Sequence, residues 1–174
     1  MTTRFLSYNQ YNIEIVKEHS ELERRFRLSP VNKLCVEQKA GDLFEAPIQS
    51  AFAHCVSQDL RMGMGIAMEF RKRFGGIETI KRLGKVVGEC AAFDFEGRKI
   101  FNMITKFAFN QKPFYSDLES CLIAVRQACA DAGIVELAMP KIGCGLDRLD
   151  WTFVVRLVHD TFVDSGIKVT VYLQ

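Results

Sequence analysis

Lys141-Ile-Gly-Cys-Gly-Leu-Asp147 lies between an apolar run at residues 134–140 and an amphipathic run at about 150–165. This order predicts a strand, a glycine loop and a helix. Glycine adopts backbone conformations that a side chain forbids, and it lets a ligand come close to the main chain. Successive backbone N–H groups in such a loop, together with the N-terminus of the next helix, can bind an anion. Asp147, at the far edge of the loop, is then placed to act on a phosphate-bearing ligand.

Strand-like and helix-like segments alternate on both sides of this loop, from residue 33 onward. Strands are predicted at 34–39, 49–56, 134–140 and 167–173, with a hairpin formed by 88–95 and 99–105. Helices are predicted at 65–74, 77–83, 116–132 and 150–165, with Ser116 as an N-cap and with Gly75, Gly76 and Gly133 at helix ends. The expected inward-facing residues of the last two helices are Leu118, Leu122, Val125, Cys129, Trp151, Val154, Val155, Val158 and Phe162. Interleaved strands and helices indicate an α/β sandwich that binds its ligand at the carboxyl ends of the strands.

The domain organisation follows from length and composition. A chain of 174 residues predicts one domain, at 33–174, preceded by an N-terminal extension at 1–32. Within the extension, Lys17 to Arg27 could form one charged helix, and Ser29-Pro30 would end it. A partly ordered tail is an equally acceptable interpretation of this segment.

Charge and cysteine content exclude several classes of protein. A net charge of +2 is too small to indicate nucleic-acid binding by itself. The six cysteines form no Cys-x-x-Cys motif, and the histidines show no metal-ligand spacing with them, so neither a disulfide framework nor a metal site is expected. No apolar run approaches the roughly 20 residues of a membrane span, and no secretory signal is evident. We therefore expect an intracellular protein, in the nucleus, the cytoplasm or both.

Three further segments could carry chemistry. Asp42, in Gly41-Asp-Leu-Phe44, could contact a nucleoside or could simply cap a helix, and the second interpretation is favoured for this motif alone. The turn Arg61-Met-Gly-Met-Gly-Ile-Ala67 opens a helix and could hold a phosphate or ribose, although it is not a P-loop. Lys106 ends an apolar strand, where burial would favour a neutral, nucleophilic amine, but most such lysines are solvated. Cys144 and His54 are interpreted as structural rather than as a nucleophile and its base.

Taken together, these motifs resemble the macrodomain family, which binds ADP-ribose, and in particular its branch of ADP-ribosyl-ester glycohydrolases and O-acetyl-ADP-ribose deacetylases. The resemblance rests on segments from about residue 34 to the C-terminus. They are Gly41-Asp-Leu-Phe44, Ala53-His-Cys-Val-Ser57, the 61–67 turn, Lys72-Arg-Phe-Gly-Gly76, Ile104-Thr-Lys106, Met139-Pro-Lys-Ile-Gly-Cys-Gly-Leu-Asp-Arg-Leu149 and Ile167-Lys-Val-Thr-Val-Tyr172.

The resemblance implies a three-layer α/β/α macrodomain with a mixed central sheet. It assigns Lys106 and Asp147 as the catalytic pair. It also implies a set of substrate-binding residues: Asp42, Leu43, Ser57, Arg61, Met62, Gly63, Gly65, Ile66, Lys141, Ile142, Gly143, Cys144, Gly145 and Leu146. Asp42 and Leu43 would meet adenine, and residues 141–147 would hold the diphosphate and ribose. The segment Phe107-Ala-Phe-Asn110 is more apolar than the family pattern leads one to expect, which bears on the shape of the rim and on substrate preference.

The implied reaction removes mono-ADP-ribose from glutamate and aspartate esters and deacylates O-acyl-ADP-ribose. Lys106 would attack C1″ of the distal ribose to give a lysyl–ADP-ribose adduct, which Asp147 would help to resolve, with no cofactor and no metal. The implied partners are ADP-ribose, O-acyl-ADP-ribose and mono-ADP-ribosylated proteins, and a monomer is expected. Two alternatives stay open. One is a reader that binds ADP-ribose without turnover. The other is a platform for poly(ADP-ribose) or nucleic acid that uses the basic residues Arg71, Lys72, Arg73, Lys81, Arg82 and Lys85.

Overall fold

The computed structural model describes residues 6–173 as helices and strands that alternate along the chain. The elements are α1 (Tyr8–Leu28), β1 (Glu37–Ala40), a 3₁₀ helix (Leu43–Glu45), β2 (Ala51–Ser57), α2 (Gly65–Phe74), α3 (Ile77–Arg82), β3 (Cys90–Phe95), β4 (Arg98–Lys106), α4 (Tyr115–Asp131), β5 (Glu136–Pro140), α5 (Trp151–Phe162) and β6 (Lys168–Leu173). No helix within 6–173 is both long enough and apolar enough to cross a membrane. Residues 1–5 of the predicted extension and residue 174 of the predicted main domain lie outside the described residues.

The strands form one mixed sheet in the order β1-β6-β5-β2-β4-β3. All neighbouring pairs are parallel except the β3–β4 hairpin, which is antiparallel. One face packs against α4 and α5 through side chains such as Leu118 and Val154, and Leu22 of α1 belongs to the same apolar cluster. The opposite face packs against the 3₁₀ helix, α2 and α3 through Leu43, Phe70 and Ile80. The predicted three-layer α/β/α fold with a mixed sheet is confirmed.

The central position of β2 determines where a ligand can bind. Almost every residue of β2 is buried, as expected for a parallel strand covered on both faces. Its neighbours β4 and β5 run in the same direction, so Ser57, Lys106 and Pro140 end at the same edge of the sheet. The loops that follow these three strands therefore converge on one site.

Three local predictions differ from the structure. The predicted strand at 34–39 is shorter and later, at Glu37–Ala40, where it forms an exposed edge of the sheet. Ser116 is not the N-cap of α4, because that helix begins at Tyr115 and its N-cap residue, Phe114, makes no side-chain capping bond. The N–H groups of Tyr115 and Ser116 instead donate to the carboxylate of Glu18, which comes from α1. Trp151, expected to face inward, is only partly buried.

The N-terminal extension forms a helix of 21 residues, longer than the Lys17–Arg27 segment singled out in the sequence. A capping box between Ser7 and Gln10 begins α1. Near the other end, Arg25 forms ion pairs with Glu119 of α4 at 2.7 Å and with Asp160 of α5 at 3.2 Å. Helix α1 therefore packs on the same two helices that cover one face of the sheet.

Candidate active site

A cavity of about 1010 Å³ opens at the carboxyl ends of β2, β4 and β5. Its walls come mainly from three segments, residues 61–67, 106–112 and 140–147. This volume lies at the upper end of the range for small-molecule sites, which suits an elongated ligand. The position agrees with the site expected from the order of strands and loops.

The cavity brings together almost all of the predicted site residues. Those that line it are Leu43, Ser57, Arg61, Met62, Gly63, Gly65, Ile66, Lys106, Lys141, Ile142, Gly143, Cys144, Gly145, Leu146 and Asp147. Asp42 is the exception. Its carboxylate accepts a hydrogen bond from the N–H of Phe44 at 2.9 Å and caps the 3₁₀ helix, as the structural interpretation of this motif expected. The contact of Asp42 with adenine stays a prediction.

Lys106 and Asp147 form a close ion pair in the cavity wall. Lys106 is the last residue of β4, whereas Asp147 lies in the loop after β5, and Lys106 Nζ is 2.6 Å from Asp147 Oδ1. Each side chain is only 13% exposed. Such a short, charge-assisted hydrogen bond in a partly dry site gives the two groups a direct route for exchanging a proton.

The loop that carries Asp147 is folded tightly on itself. Gly143 adopts φ of +69°, and its carbonyl accepts a hydrogen bond from the N–H of Leu149 at 2.8 Å. The N–H of Arg148 donates to Gly145 at 3.2 Å, and Arg148 itself has a positive φ of 58°. Asp150 then caps α5 through the N–H of Thr152. Internal hydrogen bonds thus hold the loop in shape between β5 and α5.

Comparison with known proteins identifies the family. The model of the macro domain family matches residues 53–158, which contain Lys106, Asp147 and both glycine-rich segments.

This chain belongs to the macro domain family.

The chain is 44% identical to the human protein named ADP-ribose glycohydrolase OARD1, over 76% of this chain and 87% of that protein. The Bos taurus protein of the same name is 42% identical over the same shares. Among solved structures, the macrodomain of Mycobacterium tuberculosis DarG has a TM-score of 0.72 and 24% identity, covering 79% of this chain and 96% of that chain. These structural similarities support the fold of this macro domain.

The second glycine-rich segment of this macro domain contains strained backbone. Leu60 and Met62, neither of them glycine, have positive φ values of 51° and 41°. Asp59 stabilises the turn by accepting hydrogen bonds from Ser57 Oγ at 2.5 Å and from the N–H groups of Arg61 and Phe109. Burial alone would raise the pKa of Asp59, but these hydrogen bonds outweigh burial and hold it below its ordinary value. Asp59 therefore works as a charged acceptor that shapes the turn.

One part of the cavity rim was not among the predicted site residues. Four residues that follow Lys106 also line the cavity: Phe109, Asn110, Gln111 and Lys112. The guanidinium of Arg61 lies 4.1 Å from the centre of the Phe109 ring, and Lys112 Nζ donates to the carbonyl of Leu146 at 2.5 Å. The unusually apolar composition noted at Phe107–Asn110 was the available signal, but the segment has no periodicity that would place it.

The environments of His54 and Cys144 do not favour a catalytic base and its nucleophile, although Cys144 lines the cavity. His54 is fully buried, stacks on Phe70 and pairs through Nε2 with Asn102 Oδ1 at 2.8 Å, and burial lowers its pKa to about 4. Burial raises the pKa of Cys144 to about 12, so this thiol is protonated at neutral pH. Within residues 6–173, no group of three or more His, Cys, Asp or Glu side chains could hold a metal ion.

Proposed function

We propose that this macro domain hydrolyses ADP-ribosyl esters, releasing ADP-ribose from glutamate and aspartate side chains and deacylating O-acyl-ADP-ribose. The observation that carries the proposal is the Lys106–Asp147 pair at 2.6 Å in the wall of the cavity. A module that only binds ADP-ribose needs no such pair. The relatives named ADP-ribose glycohydrolase, at 42–44% identity, support the same reaction class.

The ligand is proposed to lie across the three loops. The N–H groups of the 141–147 loop and the glycine turn at 61–66 would hold the diphosphate, because backbone N–H groups at helix N-termini bind anions. Leu43, at the cavity wall, would pack against adenine. A structural neighbour from Thermosipho africanus, DarTG, was solved in complex with ADP-ribose, which supports this class of ligand. The distal ribose would then lie between Lys106 and Asp147.

The proposed chemistry begins with a proton transfer within the pair. Lys106 gives a proton to Asp147 across their hydrogen bond and becomes a neutral amine. Its nitrogen lone pair forms a bond to C1″ while the C1″–O bond breaks, and the electron pair of that bond leaves with the departing carboxylate. Asp147 then gives its proton to the departing carboxylate. It next takes a proton from water as the water oxygen bonds to C1″ and the C1″–N bond breaks, with the electron pair returning to the nitrogen of Lys106. Asp147 finally returns that proton to the Lys106 amine, which restores the ion pair. With a protein ester the leaving group is a glutamate or aspartate side chain, and with ADP-ribose acylated on the C1″ oxygen it is a small carboxylate.

The test uses Lys106→Ala with Lys33→Ala as a control, because Lys33 is exposed and does not line the cavity. Release of labelled ADP-ribose from a glutamate-linked protein should fall by about 10³-fold or more in Lys106→Ala, because a nucleophile is lost. Calorimetry should still detect ADP-ribose binding. The wild-type protein, quenched during turnover, should carry one ADP-ribosyl mass on Lys106.

Full activity in Lys106→Ala would eliminate Lys106 as the nucleophile. A wild-type protein that binds ADP-ribose but releases none from the ester would instead be a reader module. Binding that weakens steeply with salt and depends on the basic residues of α2 and α3 would favour the platform alternative.

A further inference from the structure

Helix α1 lies before residues 53–158, the part of the chain that matches the macro domain family. It contacts residues at the far ends of the two segments that follow β4 and β5 in the candidate active site. Tyr11 Oη donates to the carbonyl of Pro113 at 3.0 Å, and its ring lies 5.0 Å from that of Phe114. Pro113 and Phe114 end the segment that begins at Lys106 and forms the rim. One turn of α1 thus holds the far end of the lysine-bearing loop.

Glu18 extends this support to the start of α4. Its Oε2 accepts from the N–H of Tyr115 at 2.9 Å, and its Oε1 accepts from the N–H of Ser116 at 3.2 Å and from Ser116 Oγ at 2.5 Å. Helix α4 has no side-chain cap from its own N-cap residue. A carboxylate at this point satisfies free N–H groups and complements the helix dipole. Glu18 therefore supplies from α1 the cap that α4 lacks.

His19 reaches the second loop through Tyr115. The Tyr115 side chain is only 1% exposed, and its hydroxyl is 3.0 Å from His19 Nε2 and accepts from the N–H of Asp150 at 2.8 Å. A hydroxyl can hydrogen-bond to both groups at once, because it has one proton to donate and two lone pairs to accept with. Asp150 lies three residues after Asp147 and begins α5. The hydroxyl thus ties α1 to the end of the aspartate-bearing loop.

We infer that α1 is a positioning element for the reaction: Glu18 and His19, acting through Tyr115, set the separation between Lys106, at the end of β4, and Asp147, in the loop after β5. This inference rests on the proposed function. None of the three residues lines the cavity, so they act through other groups and do not touch the substrate. Geometric control of this kind matters because a displacement of about 1 Å between reacting groups can cost about 100-fold in rate.

The test compares Glu18→Ala and Tyr115→Phe with Arg25→Ala. Arg25 lies on the same helix but pairs with Glu119 and Asp160, away from the loops. Glu18→Ala and Tyr115→Phe should lower kcat for ester hydrolysis by about 10- to 100-fold while KM and the Kd for ADP-ribose stay nearly unchanged. Arg25→Ala should keep kcat even though its Tm falls. Glu18→Gln, which retains one acceptor oxygen, should recover part of the lost kcat.

A second measurement separates this inference from the proposed function. Hydrogen exchange in a peptide covering residues 141–149 should be faster in Tyr115→Phe than in wild type or Arg25→Ala, whether or not the ester is turned over. If wild type shows no hydrolysis, the proposed function fails and exchange alone decides whether α1 supports the loop. Unchanged exchange would overturn the inference. An unchanged kcat in both Glu18→Ala and Tyr115→Phe would also overturn it, and so would an equal loss of kcat in Arg25→Ala.

Discussion

Replacing Gly143 with alanine tests whether the conformation of the 141–147 loop depends on glycine. Gly143 has φ of +69°, where an L side chain is strained. A Cβ atom there would lie 2.9 Å from Leu149 Cδ1 and 3.6 Å from Leu118 Cδ2, and both leucines are buried. The substitution therefore adds backbone strain and also requires a buried side chain to move.

The magnitude follows from these two effects and one opposing effect. The left-handed conformation costs about 1–2 kcal/mol for a residue with a Cβ. Moving Leu149 away from its rotamer costs about 0.5–1.5 kcal/mol more. The smaller conformational freedom of alanine in the unfolded chain returns about 0.4–1 kcal/mol. We therefore expect Gly143→Ala to lower the free energy of unfolding by about 2 kcal/mol, or the Tm by about 4–8 °C.

Gly145→Ala is the matched control, because it places the same methyl group in the same loop. Gly145 has no positive φ, and a Cβ there would meet nothing within 4 Å. Its free energy of unfolding should change by no more than about 0.5 kcal/mol. Scanning calorimetry and urea unfolding of the three proteins provide the measurement. Equal Tm values for the two variants, within about 1 °C, would refute the conformational argument.

Two further predictions concern titratable groups. Because burial lowers the pKa of His54 to about 4 from an ordinary value of 6.5, the unfolded chain binds a proton that the folded protein excludes, and stability falls as the pH drops from about 6.5 towards 4. Between pH 7 and pH 5, His54 should lower the free energy of unfolding by about 2 kcal/mol. Urea unfolding at both pH values should therefore show a smaller decrease in His54→Gln than in wild type. Equal decreases in the two proteins would contradict this prediction. Burial raises the pKa of both Cys35 and Cys144, to about 12 for Cys144, but of these two thiols Cys35 is the exposed one. Iodoacetamide at neutral pH should therefore modify Cys35 first, and peptide mass spectrometry that found Cys144 modified earlier would disprove it.

The alternation of strands and helices was predictable because local signals mark most boundaries. The predicted helix at 65–74 coincides with α2, and Gly75 follows it in a positive-φ conformation. Gly97 lies in the turn of the β3–β4 hairpin, and Gly133 follows α4. In each case the boundary of the element could be predicted from one glycine and from the periodicity of apolar residues beside it.

Two of the errors share a physical cause, which is dependence on distant residues. The start of α4 depends on Glu18, 97 residues before Tyr115, so no local pattern around Ser116 could reveal it. The rim at 107–112 is shaped by contacts with Arg61 and Leu146 rather than by a periodic pattern. The sequence likewise indicated both Lys106 and Asp147, but their separation of 2.6 Å depends on the packing of a strand end and a loop that are 41 residues apart.

The Lys106–Asp147 pair is better explained by chemistry than by stability. Burying an ion pair costs desolvation energy that the attraction between the charges often fails to offset, so such a pair is weak evidence for a structural role. The end of β4 does not need the side chain either, because the carbonyl of Lys106 already accepts from the N–H of Gln58 at 2.9 Å. An apolar side chain would cover the strand end as well. An apolar pair could not provide an amine and a carboxylate, hydrogen-bonded to each other at the wall of a ligand-sized cavity. That is the property which the proposed ester hydrolysis uses.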